Sequence, residues 1–127
     1  MKSLIIILAS FIFILTAVSS GCKKNKDSLT ANAGTGRAIV LPRDSVTLTG
    51  TGVSIGGSIA SYHWVKKSGP TQGMIVSPNS ASTLVIGLVV GTYEFELTVT
   101  DSNGIIASDR ILITVYTNDP CFGCWDY

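Results

Sequence analysis

Gly91-Thr92-Tyr93-Glu94-Phe95-Glu96-Leu97-Thr98-Val99-Thr100-Asp101 alternates large apolar and polar side chains through its middle. Successive side chains of a strand point to opposite faces. Tyr93, Phe95, Leu97 and Val99 therefore share one face, and Glu94, Glu96, Thr98 and Thr100 share the other. A one-residue slip in pairing would turn both glutamates inward, so the register is strongly specified. The run leads straight into Asp101-Ser102-Asn103-Gly104, whose Asx and Gly residues tolerate the positive-φ positions of a hairpin turn. Ile105 to Val115 is expected to return antiparallel.

Upstream, from Ala38 onward, short β-branched runs are separated by Gly, Pro, Asn and Ser, with no apolar stripe at helical spacing. Strands are expected near Ala38 to Leu41, Ser45 to Thr51, Ile59 to Lys67, Gly73 to Val76 and Ser82 to Ile86. With the hairpin this makes seven, the strand count of an all-β, immunoglobulin-like antiparallel sandwich. In Ser61-Tyr62-His63-Trp64-Val65 alternation puts Tyr62 and Trp64 on one face, as a core tryptophan on a central strand requires. Tyr93 follows a Gly-Thr step, from which a tyrosine corner can return its hydroxyl to upstream backbone. The expected structural core is Trp64, Tyr93, Phe95, Leu97 and Val99.

Ala31-Asn32-Ala33-Gly34, Ile39-Val40-Leu41-Pro42, Ser45-Val46-Thr47-Leu48, Ile59-Ala60-Ser61-Tyr62-His63-Trp64, Ser68-Gly69-Pro70, and Gly91-Thr92-Tyr93 through Thr98-Val99-Thr100-Asp101 together resemble a PKD-type (polycystic kidney disease) domain. The likeness spans roughly residues 30 to 116 and follows the subtype carrying Trp-x-x-x-Ser-Gly-Pro. It implies an extracellular sandwich acting as a spacer, an adhesive element, or a protein- or carbohydrate-interaction module. The chain departs from the family at Gly36, where an aspartate often stands. It departs again at Val53-Ser54-Ile55-Gly56-Gly57, which replaces a Ser- and Asp-rich loop. Family-style calcium binding is therefore not carried over: hard cations take about six to eight oxygens, several usually carboxylate, and this loop offers no carboxylate.

The N-terminus reads differently. Lys2 supplies a positive start, Leu4 to Val18 an apolar run short for a membrane span, and Ser19-Ser20-Gly21 lead to Cys22. This resembles the lipobox of bacterial lipoproteins, which implies removal of residues 1–21 and a diacylglycerol on the Cys22 sulfur, with acyl chains of the palmitate kind. One acyl chain gives only marginal attachment at about 0.8 kcal/mol per buried methylene, whereas two or three anchor firmly. No cofactor is expected beyond this covalent lipid. Lys23 stands where an aspartate marks inner-membrane retention in some bacteria, so the same resemblance favours the outer membrane, periplasmic or surface-facing. Residues 22–30 are expected to be a lipidated cysteine and a flexible tether, residues 31–117 the sandwich and residues 118–127 a separate tail.

Without residues 1–21, which hold one of the nine Lys and Arg, the chain carries eight basic against eight acidic side chains. That balance argues against nucleic acid, whose capture depends on many Lys and Arg contacts to phosphate. Lys23, Lys24 and Lys26 fit a solvated tether beside lipid headgroups. His63 is the single histidine and points away from Trp64 by alternation. No nucleophile elbow surrounds any serine, and Gly50 to Gly57 reads as a flexible loop rather than a phosphate cradle. The chain is expected to be non-enzymatic, with no metal site; Asp101 to Gly104 with Asp109 reads as turn chemistry rather than a calcium loop.

Cys121-Phe122-Gly123-Cys124 is the local motif with reactive potential. Such spacing can close a disulfide, lower a thiol pKa or supply two metal ligands. A thioredoxin-type site expects a βαβ setting, and zinc needs two further ligands. A small structural disulfide suits an oxidising compartment, while a redox or metal-handling protein of the envelope is the alternative. Phe122, Trp125 and Tyr127 form a candidate aromatic contact site. Alkylation of native protein with and without reductant should label Cys121 and Cys124 only after reduction; full labelling without reductant would contradict the disulfide.

Overall fold

Alternation along Gly91–Asp101 becomes an inner strand of a four-stranded sheet. The computed structural model describes residues 26–119. Its strands are β1 (Ser28–Asn32), β2 (Arg37–Val40), β3 (Val46–Thr49), β4 (Thr51–Ile55), β5 (Ile59–Ser68), β6 (Met74–Ile75), β7 (Ser82–Ile86), β8 (Gly91–Asp101) and β9 (Ile106–Tyr116). One layer has the order β2-β9-β8-β5; the other is built from β3-β7-β6 and the pair β1-β4. β3 and β4 are a single run interrupted at Gly50, whose amide donates to Ala81 O at 2.8 Å. A Cβ at Gly50 would lie 2.5 Å from Leu97 Cδ2 and 3.0 Å from Trp64 Cζ2, so the strand crosses the core where no side chain fits. The result is an all-β, immunoglobulin-like sandwich.

Tyr93, Phe95, Leu97 and Val99 are wholly inaccessible to solvent, and Trp64, Leu48, Val85, Ile113 and Val115 close around them. Truncating a buried leucine to alanine costs about 2–5 kcal/mol, a large share of a domain stability of about 5–15 kcal/mol. The Tyr93 and Phe95 rings lie parallel, 6.0 Å between centroids. The Tyr93 hydroxyl accepts a hydrogen bond from Val89 N at 3.0 Å and so ties the loop before β8 to its first turn of side chains. β8 meets β9 over ten consecutive paired positions, from Gly91 opposite Val115 to Thr100 opposite Ile106. Gly104, at φ +81°, turns the hairpin.

β1 and β2 cross from one layer to the other. β1 pairs antiparallel with β4, whereas β2 runs parallel to β9. Between them, Ala33 is buried and its amide donates to Asp109 Oδ2 at 2.8 Å. Asn32 Oδ1 accepts from Gly34 N at 2.8 Å, and Gly34 takes φ +88°, a region that favours glycine.

Five features differ from the expectations. Nine strands replace seven, because Gly50 splits the expected Ser45 to Thr51 strand and Ser28–Asn32 adds another. Ser28 to Thr30, expected in the tether, are laddered to Ile55, Ser54 and Val53. Most of Gly50 to Gly57, expected as a flexible loop, is strand β4, and the Gly73 to Val76 strand shrinks to Met74–Ile75. Trp64 lies on an outer strand of its sheet rather than a central one. It is nevertheless only 1% exposed, because the loop after β6 stands in for a neighbour: Trp64 N donates to Pro78 O at 2.7 Å, and Nε1 to Ser80 O at 3.1 Å.

Tyr93→Phe keeps the ring and removes the hydroxyl that holds Val89 N. It should lower unfolding stability by about 1–2 kcal/mol, read as a lower urea midpoint with an unchanged slope. An unchanged midpoint would contradict the role of that hydrogen bond.

Candidate functional site

The outward face of the four-stranded sheet carries its charge in one cluster. Pairing places Arg110 opposite Glu96 and Leu112 opposite Glu94, and Val65 opposite Glu96 on the other flank. Arg110 spans both glutamates, Nη1 to Glu94 Oε1 at 2.7 Å and Nε to Glu96 Oε2 at 2.9 Å, and Lys67 Nζ reaches Glu96 Oε1 at 3.8 Å. Hydrogen bonds from its guanidinium to Glu96 and then Glu94, with the attraction of both carboxylates, raise the Arg110 pKa above its usual value. Such exposed pairs add little stability, because solvent screens them; they fix a pattern of charge. Exposed Val65, Leu112 and Ile106 frame it.

His63 lies exposed on this face, opposite Thr98, with Nδ1 2.9 Å from Asn79 Oδ1. Asp101 sits at the hairpin and is 2% exposed. Its Oδ1 accepts from Asn103 N and Ile105 N, each at 2.9 Å, and its Oδ2 from Ser54 Oγ at 3.0 Å. Asp109, weighed with it as turn chemistry, is directed elsewhere, to Ala33 N. Among the described residues no group of three or more His, Cys, Asp or Glu could hold a metal.

Cys22, Cys121, Cys124, Phe122, Trp125 and Tyr127 lie outside the described residues. Two side chains that organise the surface had no local signature. Lys66 turns inward opposite Phe95, and its Nζ donates to Pro70 O at 2.6 Å and to Thr71 O and Gln72 O, each at 3.2 Å. Its ammonium also stands 5.8 Å from the Tyr93 ring centroid, so one lysine pins the Pro70-Thr71-Gln72 segment to the core. Arg110 was likewise unreadable, since its two acceptors lie 14 and 16 residues upstream.

The family model described as "K319L-like, PKD domain" matches residues 33–115. The chain is 35% identical over 85 residues to the dyslexia-associated protein KIAA0319 of Homo sapiens, covering 67% of this chain and 8% of that protein. It is 36% identical over 96 residues to the Rattus norvegicus homolog, covering 73% of this chain and 9% of that protein. This chain therefore spans less than a tenth of the length of those relatives. The solution structure of the PKD domain from KIAA 1837 protein superposes with a TM-score of 0.65 at 34% identity, covering 76% of this chain and 96% of that one. That of the PKD domain from human KIAA0319 gives 0.62 at 27% identity, covering 85% and 96%.

Burial pushes the Asp101 pKa up, but hydrogen bonds from Ile105 N, Ser54 Oγ and Asn103 N outweigh it, leaving the carboxyl below its ordinary value. A folded pKa below the unfolded value of about 3.9 means stability present above that pH and lost as pH falls through the folded value. Asp101→Asn keeps an acceptor for the two amides and removes the charge. Urea midpoints measured at roughly pH 2 to 6 should fall less steeply with acid in this variant; an equally steep acid limb would contradict the assignment.

Proposed function

The chain belongs to the K319L-like PKD domain family over residues 33–115, and from that premise we propose that it is a lipid-anchored protein of the bacterial cell envelope. It displays its PKD domain as a non-catalytic interaction, adhesion or spacer module toward a protein or a glycan. The observation that carries this reading is the family match over residues 33–115 on a sandwich of the same fold as solved PKD domains. The segment ending Ser20-Gly21-Cys22 supports the anchor, and Lys23 supports the outer membrane.

The fold adds a direction to the display. β1 enters at Ser28, opposite Ile55, beside the β4–β5 turn and the β8–β9 hairpin. Ser102 N donates to Ser58 O at 2.8 Å and Asn103 Nδ2 to Gly56 O at 3.2 Å, so these two turns form one end of the sandwich. Six residue steps separate Cys22 from Ser28, a reach of at most about 20 Å. A lipid on Cys22 therefore keeps this end within that reach of the bilayer.

Cys22→Ala should move the protein from the detergent phase to the aqueous phase in a detergent-partition experiment, and the wild-type detergent fraction should carry the mass of a lipidated cysteine. Continued membrane association of the variant would overturn the anchor.

A further inference from the structure

β2 is the outer strand of the four-stranded sheet and β3 the outer strand of the three-stranded one. Between them the side of the sandwich stays open, as a groove of about 480 Å³ lined by Arg37, Ile39, Arg43, Ser45, Thr47 and Leu84, among others. The ion pairs among the described residues all join Lys67 or Arg110 to Glu94 or Glu96, so neither groove arginine has a carboxylate. Arg37 Nη1 donates across the opening to Thr47 O at 3.3 Å. The Arg43 guanidinium makes no hydrogen bond with the described residues, and the residue is exposed.

The walls are strand edges. Leu41 N donates to Tyr116 O, so by the alternation of a parallel ladder the backbone groups of Ala38 and Val40 point away from β9. Gly50 N donates to Ala81 O, so by the same alternation on the antiparallel side Thr47 turns its backbone away from β7. The Arg37 contact to Thr47 O fits that direction. Val40 O is taken by Arg43 N at 3.1 Å, which leaves the Ala38 N–H and C=O and the Val40 N–H on the exposed edge. Leu84, 41% exposed, supplies an apolar flank to the groove. Unpaired edges accept an extended chain through main-chain hydrogen bonds, with alternate side chains read by their surroundings. Guanidinium groups select carboxylates with paired, charge-assisted hydrogen bonds.

We propose that the β2–β3 groove receives an extended acidic peptide segment of a partner protein, its backbone laid along Ala38 and Val40 and its carboxylates held by Arg37 and Arg43. This deepens the interaction reading and rests on it. Val40 lies opposite Tyr116, so the groove sits in the half remote from the entry of β1.

The test is fluorescence anisotropy on the full detergent-solubilised chain with a labelled Glu-Val-Glu-Val-Glu-Val peptide, its Gln-Val counterpart and an oligouronate. The acidic peptide should bind, and the glutamine peptide should bind about tenfold or more weakly. Arg43→Gln alone, at an exposed side chain whose guanidinium makes no hydrogen bond with the described residues, and Arg37→Gln with it should each weaken the acidic peptide by about tenfold or more, while Arg110→Gln should not. Equal binding by wild type and the double variant, preference for the oligouronate, or no binding would overturn the proposal. Envelope proteins captured equally by wild type and by the double variant would also overturn the groove, and would leave the interaction reading standing.

Discussion

The inward row Tyr93, Phe95, Leu97 and Val99 is the constraint on which the other parts of this structure depend. β8 is flanked by β9 on one side and β5 on the other, so its register sets theirs, and its side chains are the surface against which the second layer packs. Gly50 illustrates the dependence: the opposing strand breaks where Leu97 and Trp64 leave no space for a Cβ. Lys66 illustrates it again, since it secures the Pro70-Thr71-Gln72 segment from a position set opposite Phe95 and over the Tyr93 ring. The outward cluster of Glu94, Glu96 and Arg110 is the reverse side of the same alternation.

The crossing between β1 and β2 sets the ends and the open side of the sandwich. A single crossing at Ala33, secured by a carboxylate from β9, lets the chain start in one layer at one end and continue in the other layer toward the opposite end. The end where β1 enters is closed by two turns bonded to each other. The side between β2 and β3 stays open because that crossing leaves neither edge covered along Ala38 and Thr47. The closed end where β1 enters and the open edge along Ala38 and Thr47 are thus products of one topological step.

The hairpin and its buried face were legible because a period of two, sustained over a long run and followed by Asp-Ser-Asn-Gly, admits few other structures. β1 was not, since Ser28-Leu29-Thr30-Ala31-Asn32 carries only one large apolar side chain and follows the charged run Lys23-Lys24-Asn25-Lys26-Asp27. β4 was masked by Gly52 and the Gly56-Gly57 pair, which read as loop until a partner strand supplies the ladder. Alternation identified the inward side of Trp64 but carries no information on how many strands flank it, so the edge position and the covering loop at Pro78 emerged only in three dimensions. Asp109 and Ala33 stand 76 residues apart, and Arg37 and Arg43 acquire meaning only when two strand edges face each other. Such long-range contacts leave no local trace in composition or spacing.

Native-state hydrogen exchange tests most directly whether the β8 row governs the fold. If it does, the amides of Tyr93 to Val99 exchange only through global unfolding, with opening free energies equal to that measured by denaturant, while Ser28–Asn32 and Met74–Ile75 open at lower cost. Exchange of the β8 amides as fast as those of Ser28–Asn32, with the remainder of the sandwich still protected, would contradict it.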